Sequence, residues 1–378
     1  MIPFRLGRVG QPAQRALQRQ CQRRTLTSQT SSRRRVIFSG IQPTGIPHLG
    51  NYLGALSNWV KLQTSAQRDD VLLFSIVGWH ALTLPQDPTR LQSSREDMLA
   101  VLLAIGIDPT RSILFHQDHN RHHTELCWIL SCLTPMGKLR RMTTWKSRLA
   151  ASRNASSEND IDDSLLNAGL FSYPVLQAAD VLAYRATHVP VGEDQRQHIE
   201  LTRDLADIFN RTFSRHNQPP LFPLPEYVEA PSKRVLSLKD PSSKMSKSSP
   251  DAASRILLTD TSSQIKAKIR GAVTDSIPGI TYDPLSRPGT SNLLTILAAC
   301  TDSDVVQVTK RYENKGHGHL KSDVTDAVEE VLKGPRTEFE RIRHEKTFLE
   351  QIAQKGALQA MEYSAATIDQ VRRRVGLS

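Results

Sequence analysis

Two short segments, far apart in the chain, carry side chains suited to binding a nucleoside triphosphate. The first, residues 40–52, reads GIQPTGIPHLGNY and places His48 and Asn51 where a glycine-rich turn enters a predicted helix. Backbone N–H groups at a helix N-terminus attract anions, and these two side chains add further donors. Gly50 lets a ligand approach the backbone closely. The pattern favours a site for phosphate and adenine, although a tight strand-to-helix turn with a surface histidine would look similar.

The second segment is the lysine-rich pentapeptide KMSKS at residues 244–248, which follows a proline-rich stretch. In nucleotidyl transfer, negative charge develops on the pyrophosphate leaving group. A flexible loop that brings Lys244 and Lys247 to that group would stabilise the transition state electrostatically. Considered alone, the pentapeptide could equally be a solvated basic loop.

The intervening sequence alternates between strand and helix patterns. Apolar runs predict buried strands, and a period of 3.6 residues predicts helices. The predicted strands cover 36–41, 71–77, 112–116 and 188–192, and the predicted helices cover 51–63, 90–105, 125–133, 164–184 and 194–209. Asn51 is the expected N-cap of the first helix, and Pro174 is expected to interrupt the fourth. This alternation indicates a parallel sheet with helices on both faces.

The remaining segments are predicted to be a loop, a boundary and a helical region. Residues 151–163, rich in Ser, Asn and Asp, predict a mobile loop. Residues 212–250 contain seven prolines and mark either a change of domain or a long ordered loop. From Ser262 onward the pattern is almost entirely helical. The sequence contains no apolar run near the length of a membrane span.

The excess positive charge belongs to one end of the chain. The formal net charge is +11, but residues 1–35 contain nine arginines, no lysine and no acidic residue. Without them the chain has 40 basic and 38 acidic residues. An arginine-rich, acid-free segment with scattered apolar residues is typical of a mitochondrial presequence, which predicts a matrix protein. A disordered basic arm that binds RNA is the alternative.

Cysteines and histidines form no recognisable metal or redox motif. The cysteines lack C-x-x-C spacing, which suggests reduced thiols and no structural zinc, and we expect Cys127 and Cys132 to face the core. Four histidines crowd around Asp118, but their spacing fits neither one helix face nor a zinc motif. We therefore predict a polar loop and no metal site there. These histidines are His116, His119, His122 and His123.

Together, residues 48–51 (HLGN) and 244–248 resemble the HIGH and KMSKS signatures of class I aminoacyl-tRNA synthetases. Other segments are similar to the pattern of tryptophanyl-tRNA synthetases, in the tryptophanyl/tyrosyl subclass. These are 38–45 (FSGIQPTG), 173–180 (YPVLQAAD), 189–195 (VPVGEDQ), 197–203 (QHIELTR) and 272–276 (AVTDS). The resemblance extends from about residue 36 to beyond residue 294.

The resemblance implies a fold and a domain order. The expected fold is α/β, with a Rossmann-like parallel-sheet nucleotide-binding domain and an α-helical anticodon-binding domain. The expected segments are a presequence (1–35), the catalytic domain (36–241), the KMSKS loop (242–250), the helical domain (251–345) and a C-terminal helical segment that packs near the catalytic domain (346–378).

The resemblance also implies a reaction and partners. The tryptophan carboxylate would attack the α-phosphate of Mg²⁺-ATP, releasing pyrophosphate. The 2′-hydroxyl of the terminal adenosine of tRNA(Trp) would then attack the tryptophanyl-adenylate. The substrate supplies the nucleophile, so catalysis would rest on positioning and charge stabilisation, without a prosthetic group. The enzyme would be a homodimer with tRNA bridging its subunits.

Roles for individual residues follow from the same resemblance. Asp180 would accept a hydrogen bond from the indole N–H, and such a buried acceptor rejects amino acids that lack the donor. The implied tryptophan-binding residues are Gln42, Val77, His80, Tyr173, Gln177, Asp180, Val189, Val191 and Gln195. The implied ATP-binding residues are Gln42, Thr44, Gly50, Asn51, Gly192, Asp194, Lys244, Met245, Ser246, Lys247 and Ser248. The implied catalytic residues are His48, Asn51, Lys146, Lys244 and Lys247.

The sequence departs from the family pattern at two places. Gly78 and Trp79 stand where the family often has an aspartate and a polar or aliphatic residue, which predicts a changed pocket wall. Ser249 stands where an aspartate commonly follows KMSKS, which predicts a change in how the loop is held.

Three alternative functions are weighed against this one. A tyrosyl-tRNA synthetase shares both signatures, but residues 191–195 (VGEDQ) argue against it. A small-molecule nucleotidyltransferase would need neither KMSKS nor a long helical extension. An RNA-binding protein that forms no adenylate is disfavoured because His48, Asp180 and both motif lysines are intact.

Overall fold

The computed structural model describes residues 34–378 except 143–144, 147–148, 150–165, 215–217, 230–233 and 248. The predicted mobile loop at 151–163, most of the predicted presequence and Ser248 therefore lie outside the described residues. Within the described part, no helix is long and apolar enough to cross a membrane.

Five parallel strands form one sheet in the order β3-β2-β1-β4-β5. They are β1 (Val36–Ile41), β2 (Val71–Ile76), β3 (Ile113–His116), β4 (His188–Val191) and β5 (Glu226–Glu229). The first four residues of β1 are buried because the strand is central and covered on both faces. The strand order reverses between β1 and β4. Ligands of such sheets bind at the carboxyl ends of the strands beside this reversal.

Helices connect the strands and then continue beyond the sheet. The connecting helices are α1 (Leu49–Asn51), α2 (Ser57–Ser65), α3 (Gly78–Ala81), α4 (Pro88–Ala104), α5 (His122–Leu133), α6 (Met136–Arg140), α7 (Ala168–Leu182) and α8 (Arg196–Thr212). The later helices are α9 (Ser262–Arg270), α10 (Pro288–Cys300), α11 (Val305–Lys310), α12 (His317–Ile342) and α13 (Lys346–Val375). A π-helical turn, Tyr52–Leu56, joins α1 to α2. The predicted α/β fold class is confirmed.

Two predictions about elements are wrong. Pro174 lies inside α7 and does not interrupt it. Leu170, Tyr173 and Val175 are buried beside it, and this packing holds the helix although proline lacks an N–H donor. The strand β5 was not expected, because the prolines around it suggested a loop. Its position at the sheet edge, paired only with β4, tolerates such flanking residues.

The helical region after the sheet shares a hydrophobic core with the glycine-rich turn. Leu49 and Leu53 are buried in the same cluster as Met245, together with apolar residues of α9, α10 and α12. Residues 47–49 also bond along the backbone to residues 256–258, with Leu49 N–H donating to the Ile256 carbonyl at 2.7 Å. The two signature motifs are therefore held together by one packed core.

The C-terminal helix α13 returns to the sheet and packs against β3. A Cβ built on Gly356 would lie 1.8 Å from the Leu114 carbonyl oxygen, so only glycine permits this approach. Arg372 adds a bidentate ion pair with Glu125 of α5, at 2.6 and 2.7 Å. The predicted domain limits themselves stay a prediction.

Candidate active site

The glycine-rich turn enters α1 through a reciprocal cap between two side chains. His48 Nδ1 accepts from the Asn51 N–H, and Asn51 Oδ1 accepts from the His48 N–H, both at 3.2 Å. His48, and not Asn51, is therefore the N-cap, which corrects the sequence prediction. A Cβ on Gly50 would lie 3.1 Å from the His48 ring, so the glycine leaves room for the imidazole. The cap orients the imidazole at the carboxyl end of β1.

The environment of His48 keeps its imidazole neutral at physiological pH. The side chain is buried, and burial together with the charges of Lys247, Lys244 and Arg255 lowers the pKa of His48 to about 4. Because Nδ1 accepts from Asn51, the proton of the neutral ring lies on Nε2. His48 is thus a hydrogen-bond donor beside a cluster of positive charges, which suits an anionic ligand.

The second lysine of the pentapeptide lies on the glycine-rich turn. Lys247 Nζ donates to the Gly45 carbonyl at 2.7 Å and to Thr44 Oγ1 at 3.3 Å. Burial lowers the pKa of Lys247 to about 8. Gly45 adopts a φ of 89°, a left-handed conformation that favours glycine and exposes its carbonyl. The structure therefore brings the two sequence motifs into direct contact.

The rest of the pentapeptide combines an anchor with an exposed cation. Met245 is buried at 1% exposure and its N–H donates to the Val235 carbonyl, so its side chain anchors the loop. Lys244 is exposed, and Ser246 is half-buried. At Ser249, where the sequence departs from the family pattern, Arg255 donates to the backbone carbonyl at 2.8 Å. The loop is thus held through its backbone at that position.

A cavity of about 170 Å³ opens at the carboxyl ends of β1 and β4. All nine residues implied as tryptophan-binding line it, with Phe38, Gly40 and Val181. A Cβ on Gly40 would lie 2.9 Å from Val77 Cγ1, so the glycine allows the Val77 side chain to pack closely against β1. Gln42 belongs to both this cavity and the glycine-rich turn, so the two sites adjoin.

Asp180 lies at the inner end of the cavity, 1% exposed, and accepts three hydrogen bonds of 2.7 Å. His80 Nε2 donates to one oxygen, and Gln117 Nε2 and His123 Nδ1 donate to the other. Burial alone would raise the pKa of Asp180, but the two histidines outweigh it and hold the pKa at about 2. A carboxylate offers about four acceptor positions, so one remains for a ligand donor.

The prediction of a polar loop after β3 is wrong for most of its histidines. His116, His122 and His123 are buried, and only His119 is exposed. Gln117 and His123, to which the sequence analysis gave no role, both bind the cavity carboxylate. For Gln117 the available signal was its position directly after a predicted strand, because side chains at that end of a parallel sheet face the ligand crevice. For His123, the second residue of α5, the sequence contained no such signal. Among the described residues, no group of three or more His, Cys, Asp or Glu could hold a metal ion.

Polar residues at the mouth of the cavity are linked to one another. Tyr173 Oη is hydrogen-bonded to the buried His198 Nε2 at 2.9 Å, and Gln177 donates to Gln195 at 3.4 Å. His198 is a third residue to which the sequence analysis gave no role. Gly192 precedes a 3₁₀ turn, and a Cβ on it would lie 2.8 Å from Asp194 Oδ1. Asp194 itself is exposed beside the cavity.

Several predicted features fall outside this arrangement. Lys146 is exposed and lies over the Trp145 ring, 5.4 Å from its centroid, and does not line the cavity. Gly78 and Trp79 do not line it either, but the Trp79 N–H donates to Gln117 Oε1 at 3.0 Å, and Gln117 binds Asp180. The expected change in the pocket wall stays a prediction. A Cβ on Gly78 would lie 2.4 Å from Asp118 Oδ1, so the Asp118 carboxylate occupies the space that a side chain at residue 78 would need.

Cys127 is partly buried, as expected, but Cys132 is exposed, which contradicts the prediction that it faces the core. A larger cavity of about 470 Å³ lies between α4 and α13, away from both motifs. None of the predicted site residues lines that cavity.

Comparisons with known proteins identify the family. The family model described as "tRNA synthetases class I (W and Y)" matches residues 30–333. A mitochondrial tryptophan–tRNA ligase of Schizosaccharomyces pombe is 42% identical over 90% of this chain and 95% of its own length.

Two solved structures are similar over almost the whole chain. The tryptophanyl-tRNA synthetase of Mycoplasma pneumoniae is 32% identical with a TM-score of 0.78, covering 92% of this chain and 99% of the other. The Campylobacter jejuni enzyme, complexed with ADP and tryptophan, is 30% identical with a TM-score of 0.72, covering 90% and 100%. The chain therefore belongs to the class I tRNA synthetases of the tryptophan and tyrosine type.

Proposed function

We propose that the protein is a tryptophan–tRNA ligase of mitochondrial translation. It activates L-tryptophan with Mg²⁺-ATP to tryptophanyl-AMP and pyrophosphate, and then transfers tryptophan to tRNA(Trp). The observation that carries the proposal is the buried, ionised Asp180 with one free acceptor position at the end of an apolar cavity. The similarity to enzymes named for tryptophan supports the choice over tyrosine.

Tryptophan would lie in the cavity with its indole between the valine walls and its N–H on Asp180. The valines are Val77, Val189 and Val191. Tyr173 and Gln195 would then face its amino and carboxylate groups at the mouth. An amino acid without a donor at the indole position would leave the carboxylate unpaired, which is the physical basis of rejection.

ATP would lie across the glycine-rich turn. The neutral His48 would donate to a phosphate oxygen, and Gly192 and Asp194 would approach the ribose. Lys247 would exchange its bonds to Gly45 and Thr44 for phosphate oxygens, and with Lys244 it would stabilise the leaving pyrophosphate. The Campylobacter jejuni structure, which contains ADP and tryptophan, supports adjoining sites of this kind. Lys146, which is helical in the structure although a loop was expected, is proposed to reach a phosphate.

We further propose a homodimer in which α5 and α6 form the interface and tRNA bridges the subunits. Trp128 and Met136 are large apolar residues that are 73% and 55% exposed on these helices. Large apolar side chains exposed on adjacent helices are typical of a surface that a partner covers, and this is the observation behind the proposed interface. Trp128→Glu should convert the dimer to monomers in light scattering, with Leu358→Glu, at a 62% exposed position on α13, as a matched control.

The mitochondrial matrix is the proposed location. The arginine-rich segment 1–35 fits a presequence, and the similar Schizosaccharomyces pombe ligase is named as mitochondrial. The segment fused to a fluorescent protein should direct it to mitochondria, and a diffuse signal would argue instead for the RNA-binding arm.

The decisive experiment is ATP–pyrophosphate exchange on protein that starts near Arg35, tested separately with each of the twenty amino acids. Exchange with tryptophan alone is expected. Exchange with tyrosine would overturn the specificity but keep the enzyme class. No exchange with any amino acid, on folded protein with Mg²⁺, would favour an RNA-binding protein without activating function.

A further inference from the structure

A chain of buried hydrogen bonds links the cavity carboxylate to the C-terminal helix. His123 Nδ1 lies 2.7 Å from Asp180 Oδ1, and His123 Nε2 lies 2.7 Å from Tyr184 Oη. Asn120 Nδ2 donates to Tyr184 Oη at 2.9 Å and to Ser364 Oγ, on α13, at 3.0 Å. None of these five residues is more than 1% exposed, so water does not complete the pattern.

Such a chain can carry its protons in two opposite orders. In one order, His123 donates an Nδ1 proton to Asp180. In the other, Nε2 carries the proton and Nδ1 turns a lone pair toward the carboxylate, which repels it. The order therefore decides whether Asp180 is held in place on that side. The neighbours along the chain decide which order forms.

The order is set at its far end by two partners of Asn120, the Ser364 hydroxyl and the His122 backbone N–H. The Ser364 hydroxyl has one proton and three acceptors within reach, the carbonyls of Ala360 and Met361 at 2.9 and 3.1 Å and His122 Nδ1 at 2.7 Å. With any of them its oxygen accepts from Asn120 Nδ2, at 3.0 Å. The other end of the amide is fixed because Asn120 Oδ1 accepts from the His122 N–H at 3.1 Å. Both contacts require the amide nitrogen, and not the oxygen, to face Tyr184.

The fixed amide then dictates the remaining protons. An amide nitrogen cannot accept a hydrogen bond, so the Tyr184 hydroxyl must donate to His123 Nε2. An imidazole whose Nε2 accepts carries its proton on Nδ1, and Nδ1 of His123 faces Asp180. With His80 and Gln117 also donating, three positions on Asp180 are filled and one stays open toward the cavity.

We propose that Ser364 is a positioning residue for tryptophan recognition, which together with the His122 N–H fixes the proton order of this chain and so holds Asp180 ready for the indole N–H. The proposal rests on the proposed role of Asp180 in binding tryptophan. Ser364 lies outside the range that the family model matches, and it is 244 residues from Asn120 in the sequence. The C-terminal helix thus contributes to specificity without touching the substrate.

The first test is Ser364→Ala, measured by ATP–pyrophosphate exchange on the full mature chain. Loss of one buried acceptor should raise KM for tryptophan about 3- to 10-fold, with KM for ATP unchanged. Thr367→Ala is the matched control, because Thr367 is a buried hydroxyl one turn further along the same helix. An equal rise of KM for tryptophan in both variants, or no rise in Ser364→Ala, would overturn the proposal.

The second test reverses the proton order directly. Asn120→Asp keeps the shape of the side chain but accepts from Tyr184, so His123 should move its proton to Nε2. The ¹⁵N shifts of labelled histidine should show Nδ1 protonated in the wild type and Nε2 protonated in this variant, with KM for tryptophan raised about tenfold or more. Unchanged ¹⁵N shifts together with an unchanged KM for tryptophan would refute the proton order.

Asp180→Ala separates this inference from the proposed function. A tryptophan-selective loss in Asp180→Ala, with no effect of Ser364→Ala, would refute only the role of Ser364. Equal loss for tryptophan and ATP in Asp180→Ala would refute the role of Asp180 and, with it, both proposals.

Discussion

The proposed tryptophan cavity and the proposed nucleotide-binding turn differ in how completely buried partners fix their polar groups. In the cavity, Asp180 is buried and already holds three hydrogen bonds from side chains that are themselves buried. On the turn, Lys247 donates a hydrogen bond to the backbone oxygen of Gly45, and Lys244 is exposed. Recognition is therefore built on rigid packing, whereas the catalytic charges lie on a loop whose contacts can be exchanged for phosphate.

The physical reason for this difference is the cost of reorganisation. A buried acceptor discriminates well only if it cannot relax toward the wrong substrate, so it needs fixed partners. Cations that stabilise a leaving group act on charge that develops during the reaction, and a mobile loop can supply them at that step. Four predictions follow from this difference, and each can contradict it.

The largest effect is expected for Asp180→Ala. The substitution removes the acceptor for the indole N–H and leaves the donors of His80, Gln117 and His123 without their buried partner. The specificity constant kcat/KM for tryptophan should fall about 10³-fold or more, since sites built to pair a donor discriminate by 10⁴ or above. KM for ATP should change little in the same exchange assay. Asp204→Ala, at an exposed carboxylate on α8, serves as the control.

Lys247→Ala should have the next largest effect. Removal of one preorganised charge should lower the rate of tryptophan activation about 10²-fold, because the leaving pyrophosphate loses a partner. Single-turnover formation of tryptophanyl-AMP at saturating substrates measures this rate. Lys239→Ala, at an exposed lysine that bonds only to a backbone carbonyl in the helical region, should leave the rate unchanged. A normal rate in Lys247→Ala would remove the assigned role of the pentapeptide.

Gly356→Ala tests the rigid packing of the C-terminal helix α13 against β3. The added Cβ would lie 1.8 Å from the Leu114 carbonyl oxygen, so α13 must move away from β3. The free energy of unfolding should fall by about 2–3 kcal/mol, in the range of overpacked cores. Urea denaturation measures it, with Gly334→Ala on the open face of α12 as the control, since no atom lies within 4 Å of its Cβ position. An unchanged stability would mean that α13 is not packed as described.

The smallest effect is a pH dependence on the catalytic side. Because burial lowers the pKa of Lys247 to about 8, the residue loses its charge as the pH rises through that value. In the free enzyme, kcat/KM for ATP should therefore fall about tenfold per pH unit above pH 8. Lys247→Arg should abolish this decline, because arginine stays protonated. His48, with a pKa of about 4, should add no inflection between pH 5.5 and 8.

The sequence by itself determined the features that depend on neighbouring residues. Strand β1 was predicted with its observed bounds, because an apolar run stopped by proline and glycine is a local signal. The contents of both motifs and nine of the twelve residues that line the cavity also followed from sequence patterns and family resemblance. Their placement at the carboxyl ends of parallel strands follows from the fold class alone.

Only the tertiary structure decided which polar residues become buried partners. Gln117 and His123 looked like a polar loop, because a buried, satisfied histidine and a solvated one have the same local sequence. Ser364 looked like one more small residue of a helix. These side chains meet because distant segments pack on the same end of the sheet, and burial then forces every donor to find an acceptor. Such pairing is a property of the packed chain, which no local pattern contains.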